Sequence, residues 1–296
     1  DETRQFEAIN GEFTTLMGEA EAQPNVVLAC TNEARTQILV ELAQGLERCQ
    51  KALNEYLDMK KNIFPRFYFV SDTALLDILS NGNNPPRIMQ HLGDCFNALR
   101  TLEFMAVDQP VAQEGEDAPP PAIPTNALGM VSKDGERVKF AGTFKISGAV
   151  EDWLGSLLEM MKTTLKGILD ASLDSAANWE LDRPRERWVR DYPGQIALLA
   201  SQIYWTEESE NALEELEGGD EDAMRRYLEM CNARLEALIK VVQGNLSNQE
   251  RTKAIVMITI DVHARDVVQA LIDQKAQSPT EFVWQSQLRY YWQEDS

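Results

Sequence analysis

The chain has 296 residues, with 28 Lys and Arg against 48 Asp and Glu, for a formal charge of −20. Nucleic acid and anionic membrane both repel so acidic a surface, so neither is an expected partner. The apolar run near Ile255 to Ile260 falls far short of the ~20 apolar residues that span a bilayer. A hydrophobic share of 44% with six Trp supports real cores, and the length suggests roughly two domains of about 150 residues. The first residue is Asp1 rather than Met, and the sequence is expected to be an excerpt of a longer protein. Cys30, Cys49, Cys95 and Cys231 stand far apart with no Cys-x-x-Cys pair, which favours reduced core thiols over disulfides or metal.

Leu39, Leu42, Leu46, Cys49, Leu53 and Tyr56 recur at spacings of three and four, predicting a long helix from Asn32 to about Lys61 with one apolar stripe. Next comes Asn62 to Leu79, NIFPRFYFVSDTALLDIL, which crowds Phe64, Phe67, Tyr68 and Phe69 around Pro65 and Arg66. Such an aromatic run bounded by Pro65 and Ser71 reads as a short buried strand, starting just after Pro65 or lying at an edge. Ser71 suits a helix N-cap, and Leu75, Leu76, Ile78 and Leu79 supply the apolar face that follows. Phe64, Pro65, Phe67, Tyr68, Phe69 and Ser71 are therefore read as a packed structural joint.

Asp108 to Pro124 holds five of the 12 prolines, four acids and no aromatic residue, the composition of an exposed loop. Asp134-Gly135 between residues of strand character predicts a hairpin, with strands at about Leu128 to Ser132 and Glu136 to Phe140 and a third through Lys145.

Helical spacing resumes from Val150 to Leu169 through Trp153, Leu157, Met161 and Leu165. Gly194 to Leu216 and Asp220 to Leu246 follow, the latter with Met224, Tyr227, Cys231, Leu235, Leu238 and Val242 on one face. Ser247 and Glu250 form a capping box opening a helix to about Ala276, whose apolar positions cover more than one face. Ser278 and Glu281, with Pro279 between them, form a second box before a last helix through Trp284, Leu288 and Trp292.

The sequence lacks a Gly-x-x-x-x-Gly-Lys-Ser/Thr phosphate loop, a Gly-x-Gly-x-x-Gly fingerprint and a Gly-x-Ser-x-Gly elbow. His91 and His263 are its two histidines, and neither has a nucleophile or second ligand nearby in sequence. Asp261 and Arg265 are placed to pair along a helix face around His263. Arg183, Arg185, Arg187 and Arg190 interleave with Asp182, Glu186 and Asp191 around Trp188, which reads as a self-neutralised connector. Glu207 to Asp222 carries nine acids and no base but lacks the ligand spacing of a calcium loop. No catalytic, cofactor-binding or metal-binding residue is assigned. The residues alone describe a mainly α, extended interaction or mechanical module with one short strand and a β-hairpin insertion. A scaffold of stacked helix pairs would show a fixed internal repeat, which the sequence does not have. An enzyme would show turnover by the isolated chain.

The block Phe64-Pro65-Arg66-Phe67-Tyr68-Phe69-Val70-Ser71, followed by Leu75-Leu76-Asp77-Ile78-Leu79, resembles the linker region of dynein heavy chains. Further motifs similar to that family follow in order: His91-Leu92 with Cys95-Phe96, Leu102-Glu103-Phe104, Ser132 to Glu136, Val150 to Leu154, Tyr192 to Gln195, Gln202 to Thr206, Asp261 to Asp266, and Phe282 to Trp292. The resemblance covers nearly the whole chain, except for Asp108 to Pro124 and Glu207 to Asp222. Tyr290-Tyr291-Trp292 and Gln202-Ile203-Tyr204-Trp205 are more similar to axonemal than to cytoplasmic dyneins.

The resemblance implies elongated helical bundles forming a rod that arches over a ring of ATPase modules. It implies linker subdomains at 1–107 and 149–296, joined through the exposed loop 108–126 and the hairpin 127–148. ATP and Mg belong to the parent motor and no cofactor to this segment. The implied partners are the ring of the same heavy chain, other dynein subunits and, through the parent chain, the microtubule. The implied location is the cytoskeleton of a ciliary or flagellar axoneme. A phosphate loop is expected soon after Ser296 in the parent chain. Bending is expected near Ser71 to Arg100 or at the hairpin, not inside Gly194 to Leu216. Lys133, Asp134, Gly135 and Arg137 at the hairpin tip are candidate contacts to the ring.

Overall fold

A computed structural model describes residues 2–31, 33–108, 121–176 and 184–293. It is mainly helical with one three-stranded sheet, and it divides into two compact units. Unit 1 comprises Asp1–Cys95 and Ser147–Gly155, and unit 2 comprises Phe96–Ile146 and Ser156–Ser296. Most of the predicted loop at 108–126, along with Asp182, Arg183 and the side chain of Cys30, lies outside the described residues. No described helix is long and apolar enough to cross a membrane.

Unit 1 begins with α1 (Glu2–Ala22), α2 (Val26–Cys30) and α3 (Glu33–Ile63). The Asn25 side chain accepts hydrogen bonds from the amides of Val27 and Leu28 and starts α2. α1 packs against α3 at Gly45, where a Cβ would lie 2.7 Å from Ile9 Cδ1 and would make that side chain shift. The predicted stripe on α3 exists, but most of it is not core. Leu42 and Leu57 are buried, whereas Leu39, Leu46, Leu53 and Tyr56 are each more than two-fifths exposed.

Pro65–Phe69 is a 3-10 helix rather than the predicted strand. Pro65 sits at its start, where its locked φ suits a helical turn and its missing N–H costs nothing. α4 (Asp72–Ser80) follows, and Ser71 caps it as predicted, its Oγ accepting from the Ala74 amide at 3.3 Å. The remainder is short: α5 (Pro85–Ile88), a 3-10 turn at Met89–His91, and α6 (Leu92–Cys95). The unit's core combines Phe64, Phe67, Leu75, Ile78, Ile88 and Leu92 with Val150, Trp153 and Leu154.

Unit 2 holds the sheet, in antiparallel order β1 (Leu99–Phe104), β2 (Asn126–Ser132), β3 (Arg137–Lys145). The hairpin is where Asp134-Gly135 placed it, with Gly135 at φ 84°. The third strand differs. Lys145 belongs to β3, which continues past an irregularity where Ala127 pairs with Phe144 but Gly129 pairs with Lys139. The extra residues opposite Gly129 form a bulge, and the break it makes in the alternation resembles a strand end in sequence. The true third strand is β1, whose partner β2 comes more than twenty residues later.

The helices of unit 2 are the rest of α7 (Val150–Ala176), then α8 (Arg185–Asp191), α9 (Gly194–Glu217), α10 (Ala223–Val242), α11 (Asn248–Asp273) and α12 (Phe282–Gln285). The capping box at Ser247 and Glu250 is formed in both directions. One core cluster gathers Leu169, Trp188, Ile196, Ile203, Leu238 and Met257. A second gathers Trp205, Leu213, Met224, Tyr227, Val268 and Trp284. On α11 the expected burial on several sides fails at its start, where Ile255 and Val256 are about half exposed while Ala254 and Met257 are buried. The last helix is one turn long instead of reaching Trp292. Ser278 accepts from Thr280 N, so the second predicted box closes a turn and caps no helix.

Candidate functional site

Three places gather long-range contacts among the described residues. The first is the aromatic joint in unit 1. The Phe67 amide donates to Phe64 O at 3.0 Å and the Val70 amide to Phe67 O at 3.1 Å, giving three residues per turn. Phe64, Phe67 and Val70 therefore share one face, and all three are buried. The Phe64 and Phe67 rings meet edge to face, 5.0 Å between centroids and 78° apart. Tyr68 and Phe69 point outward, 60% and 79% exposed. Arg66 Nη1 donates to Cys95 O at 2.9 Å, tying the turn to α6. Lys61 pairs with Asp72 at 2.8 Å across the turn, and Lys60 is hydrogen-bonded to the buried Glu151. Burial pushes the Cys95 thiol up to about 12, which keeps it protonated and inert. His91 bonds Asp77 at 2.7 Å and, by that hydrogen bond, holds the Asp77 carboxyl below its usual range.

The second place is the hairpin tip, built wholly within unit 2. The Glu136 carboxylate accepts the Gly194 amide at the start of α9 through both oxygens, at 3.0 and 3.1 Å. A carboxylate there meets the positive end of the helix dipole. Lys253 of α11 pairs with the same carboxylate at 3.0 Å and donates to Tyr192 O at 2.6 Å. Gln249 Nε2 donates to Asp134 O at 2.9 Å. Thus the turn is held to α11 through the Asp134 carbonyl, while Lys133, Asp134 and Arg137 are exposed. Arg137 comes within 3.7 Å of Glu103.

The third place is the segment after α12, which crosses α9. Glu210 accepts from Trp284 Nε1 at 3.1 Å and Tyr291 OH at 2.7 Å, with Arg289 Nη1 at 3.5 Å. Tyr290 N donates to Thr206 Oγ1 at 3.1 Å, and Trp205 packs on Trp284 with centroids 5.2 Å apart. His263 lines a cavity with Trp205, Leu288 and Tyr290 rather than meeting a nucleophile.

The charged residues pair differently from the local reading. Arg185 bonds Asp261 and Arg190 bonds Glu250, so α11 supplies acid partners to the connector. Asp261 is thereby unavailable to Arg265, which pairs with Asp266 at 2.7 Å. Sequence reasoning missed Glu136, Gln249, Lys253 and Glu210, whose partners lie 58 to 117 residues away or, for Glu210, 74 and 81. Only Glu250 carried a local signal, its capping box. Among the described residues no group of three or more His, Cys, Asp or Glu is placed to hold a metal.

A mainly α segment, with a small sheet clasped to helices and a C-terminal strap laid over α9, is the class this geometry defines. The family described as Dynein heavy chain, N-terminal region 2 matches residues 1–172, more than half the chain. The chain is 40% identical over 296 residues to the ciliary dynein beta chain of Heliocidaris crassispina, covering 100% of this chain and 6% of that protein. It is 41% identical over 296 residues to human dynein axonemal heavy chain 17, covering 99% and 6%. It is 38% identical over 290 residues to the flagellar outer arm dynein beta chain of Chlamydomonas reinhardtii, covering 98% and 6%. The chain belongs to the dynein heavy chain family, as an N-terminal region of the axonemal type. It spans about 6% of the length of the curated relatives it matches.

Proposed function

We propose that this segment is a mechanical lever, the linker of an axonemal dynein heavy chain. It converts ATP-driven changes in the parent chain's motor ring into movement along microtubules in a cilium or flagellum. The observation that carries the reading is the family match combined with a chain of long, mutually packed helices and a sequence without a phosphate loop. ATP and Mg act elsewhere in the parent chain. The partners of the lever are the ATPase ring of the same chain, the other subunits of the dynein complex and, through the parent chain, the microtubule.

A lever must be stiff along its length and bend where helices stop. Residues 72–95 are broken into pieces of nine, four, three and four residues, whereas α9 and α11 run 24 and 26 residues without interruption. This contrast supports bending near Ser71 to Arg100, the alternative being the hairpin connection, and not inside Gly194 to Leu216. Phe64, Phe67 and Ser71 act in the lever as a rigid joint. Lys133 and Arg137 reach the ring from the hairpin tip. Ring states can move the lever only if they differ in affinity for it, by about 5 kcal/mol for near-complete switching.

The test is uncoupling. Ile260→Pro in the parent motor breaks α11, and it should leave ATP hydrolysis near normal while abolishing microtubule gliding. Equal loss of both activities, or of neither, rejects the lever. Charge reversal at Lys133 and Arg137 together tests the ring contact, which fails if ATPase and gliding rates stay unchanged.

A further inference from the structure

The two ends of the sheet in unit 2 are fastened to the helices by different means. At the base, Phe140 and Phe144 are buried and stack edge to face, and the Ala141 amide donates to Thr164 Oγ1 of α7 at 3.2 Å. At the tip, the fastening is polar. Glu136 holds the Gly194 amide and Lys253, and Gln249 holds Asp134 O. Behind this clasp the sheet and helices do not close-pack. A pocket of about 380 Å³, partly open to solvent, lies between Met130 and Val138 on the sheet and Met161, Leu165, Leu198 and Met257 on the helices. Where it intervenes, the two faces lack the dispersion contacts that would bind them. Between base and tip lies the bulge opposite Gly129, where register is interrupted.

We infer that the tip half of the sheet is a lid, hinged at the bulge and latched by Glu136, which lies over a partly open apolar pocket and lifts further from it when the latch breaks. The latch suits release. Its charged partners keep access to water, Glu136 being 31% and Lys253 16% exposed, so water replaces the lost bonds. The inference concerns local opening in unit 2 and holds whether or not the segment is a lever.

The pocket supplies its own probes. Met130 and Met257 are 7% and 1% exposed, while Met224, 4% exposed, belongs to the other core cluster. Peroxide oxidation followed by peptide mass spectrometry, on the protein carrying these residues, reads the opening of each region. Glu136→Gln keeps the shape and removes the charge. It should speed oxidation of Met130 and Met257 roughly tenfold, the loss of a charge-assisted bond, with Met224 unchanged. Lys253→Met should do the same, and the double variant should add little to either. Raising salt on the unaltered protein should speed Met130 and Met257 as well, which covers the case of a variant that does not fold. Unchanged rates at Met130 and Met257, or a parallel rise at Met224 reporting global unfolding, overturn the lid.

Discussion

Arg185 grips Asp261 through two parallel hydrogen bonds of 2.6 and 2.8 Å, joining the start of α8 to the middle of α11 across 76 residues of sequence. Both side chains are largely removed from water, at 9% and 14% exposure. Breaking such a pair leaves a charge where water reaches it poorly. Asp261→Ala should therefore destabilise the fold by about 2–4 kcal/mol in urea unfolding, and replacing both residues by apolar ones of similar volume should cost much less. Equal costs for the single and double changes would show that the pair is not the source of the loss.

The 3-10 turn makes opposite predictions for neighbouring aromatics. Phe67→Ala removes a fully buried ring and should cost about 3–5 kcal/mol. Phe69→Ala, at a position 79% exposed, should change stability by no more than about 0.5 kcal/mol. A buried strand of alternating faces would instead link Phe67 with Phe69. Chemical denaturation of the two variants separates these geometries.

Gly129 is needed for close approach, not for an unusual φ. A Cβ there would lie 2.6 Å from Val138 O, a backbone atom that cannot swing aside. Gly129→Ala should cost about 1–3 kcal/mol by forcing the strands apart, seen as a lowered Tm. Gly142, whose Cβ would meet nothing within 4 Å, is the control and should tolerate alanine.

Glu250 links pH to the start of α11. Hydrogen bonds from Arg190, then from the Ser247 amide and hydroxyl, hold its carboxyl at about 2 against an ordinary 4.5. A depressed folded value means the stabilisation is fully present above about 4.5 and is lost as pH falls toward 2. Glu250→Gln removes the titrating group. Its stability deficit against the unaltered protein should be largest above pH 5 and should shrink steadily toward pH 2 in urea titrations.

Two thiols should be silent until the fold opens. Burial is the main cause that pushes Cys95 up to about 12 and Cys231 to about 11, from an ordinary 9.0. At pH 8 their thiolate fractions fall by roughly a thousandfold and a hundredfold. Iodoacetamide should leave both unmodified in the native protein and label both in denaturant, with mass spectrometry locating the adducts.

Much of the fold was legible because helices write their period into the chain. α3, α7 and α10 all follow stripes visible at spacings of three and four. Ser71 and Glu250 act as the caps their local patterns predict. The errors have specific causes. Phe64-Pro65-Arg66-Phe67 read as a strand because an aromatic run without helical spacing suggests one, yet Pro65 starts a turn of period three. The segment past Gln285 lost its helix because Tyr290 and Tyr291 spend their polar groups on Thr206 and Glu210 of α9. β1 escaped notice because six residues of mixed character declare themselves a strand only beside β2.

The sequence by itself determined the long helices, the caps at Ser71 and Ser247, the turn at Asp134-Gly135 and, through its ordered motifs, the dynein heavy chain family. All of these depend on residues within a turn or two of one another, or on their order along the chain. Only the tertiary structure decided which part of each apolar stripe is core, and which partner each charge takes. Leu42 is buried and Leu46 is not, although both stand on the same predicted stripe. Glu136 finds Gly194 and Lys253, and Arg185 finds Asp261, over separations that leave no periodic trace. Such pairings are selected by the packing of whole helices and by the cost of leaving charge unpaired where water is scarce.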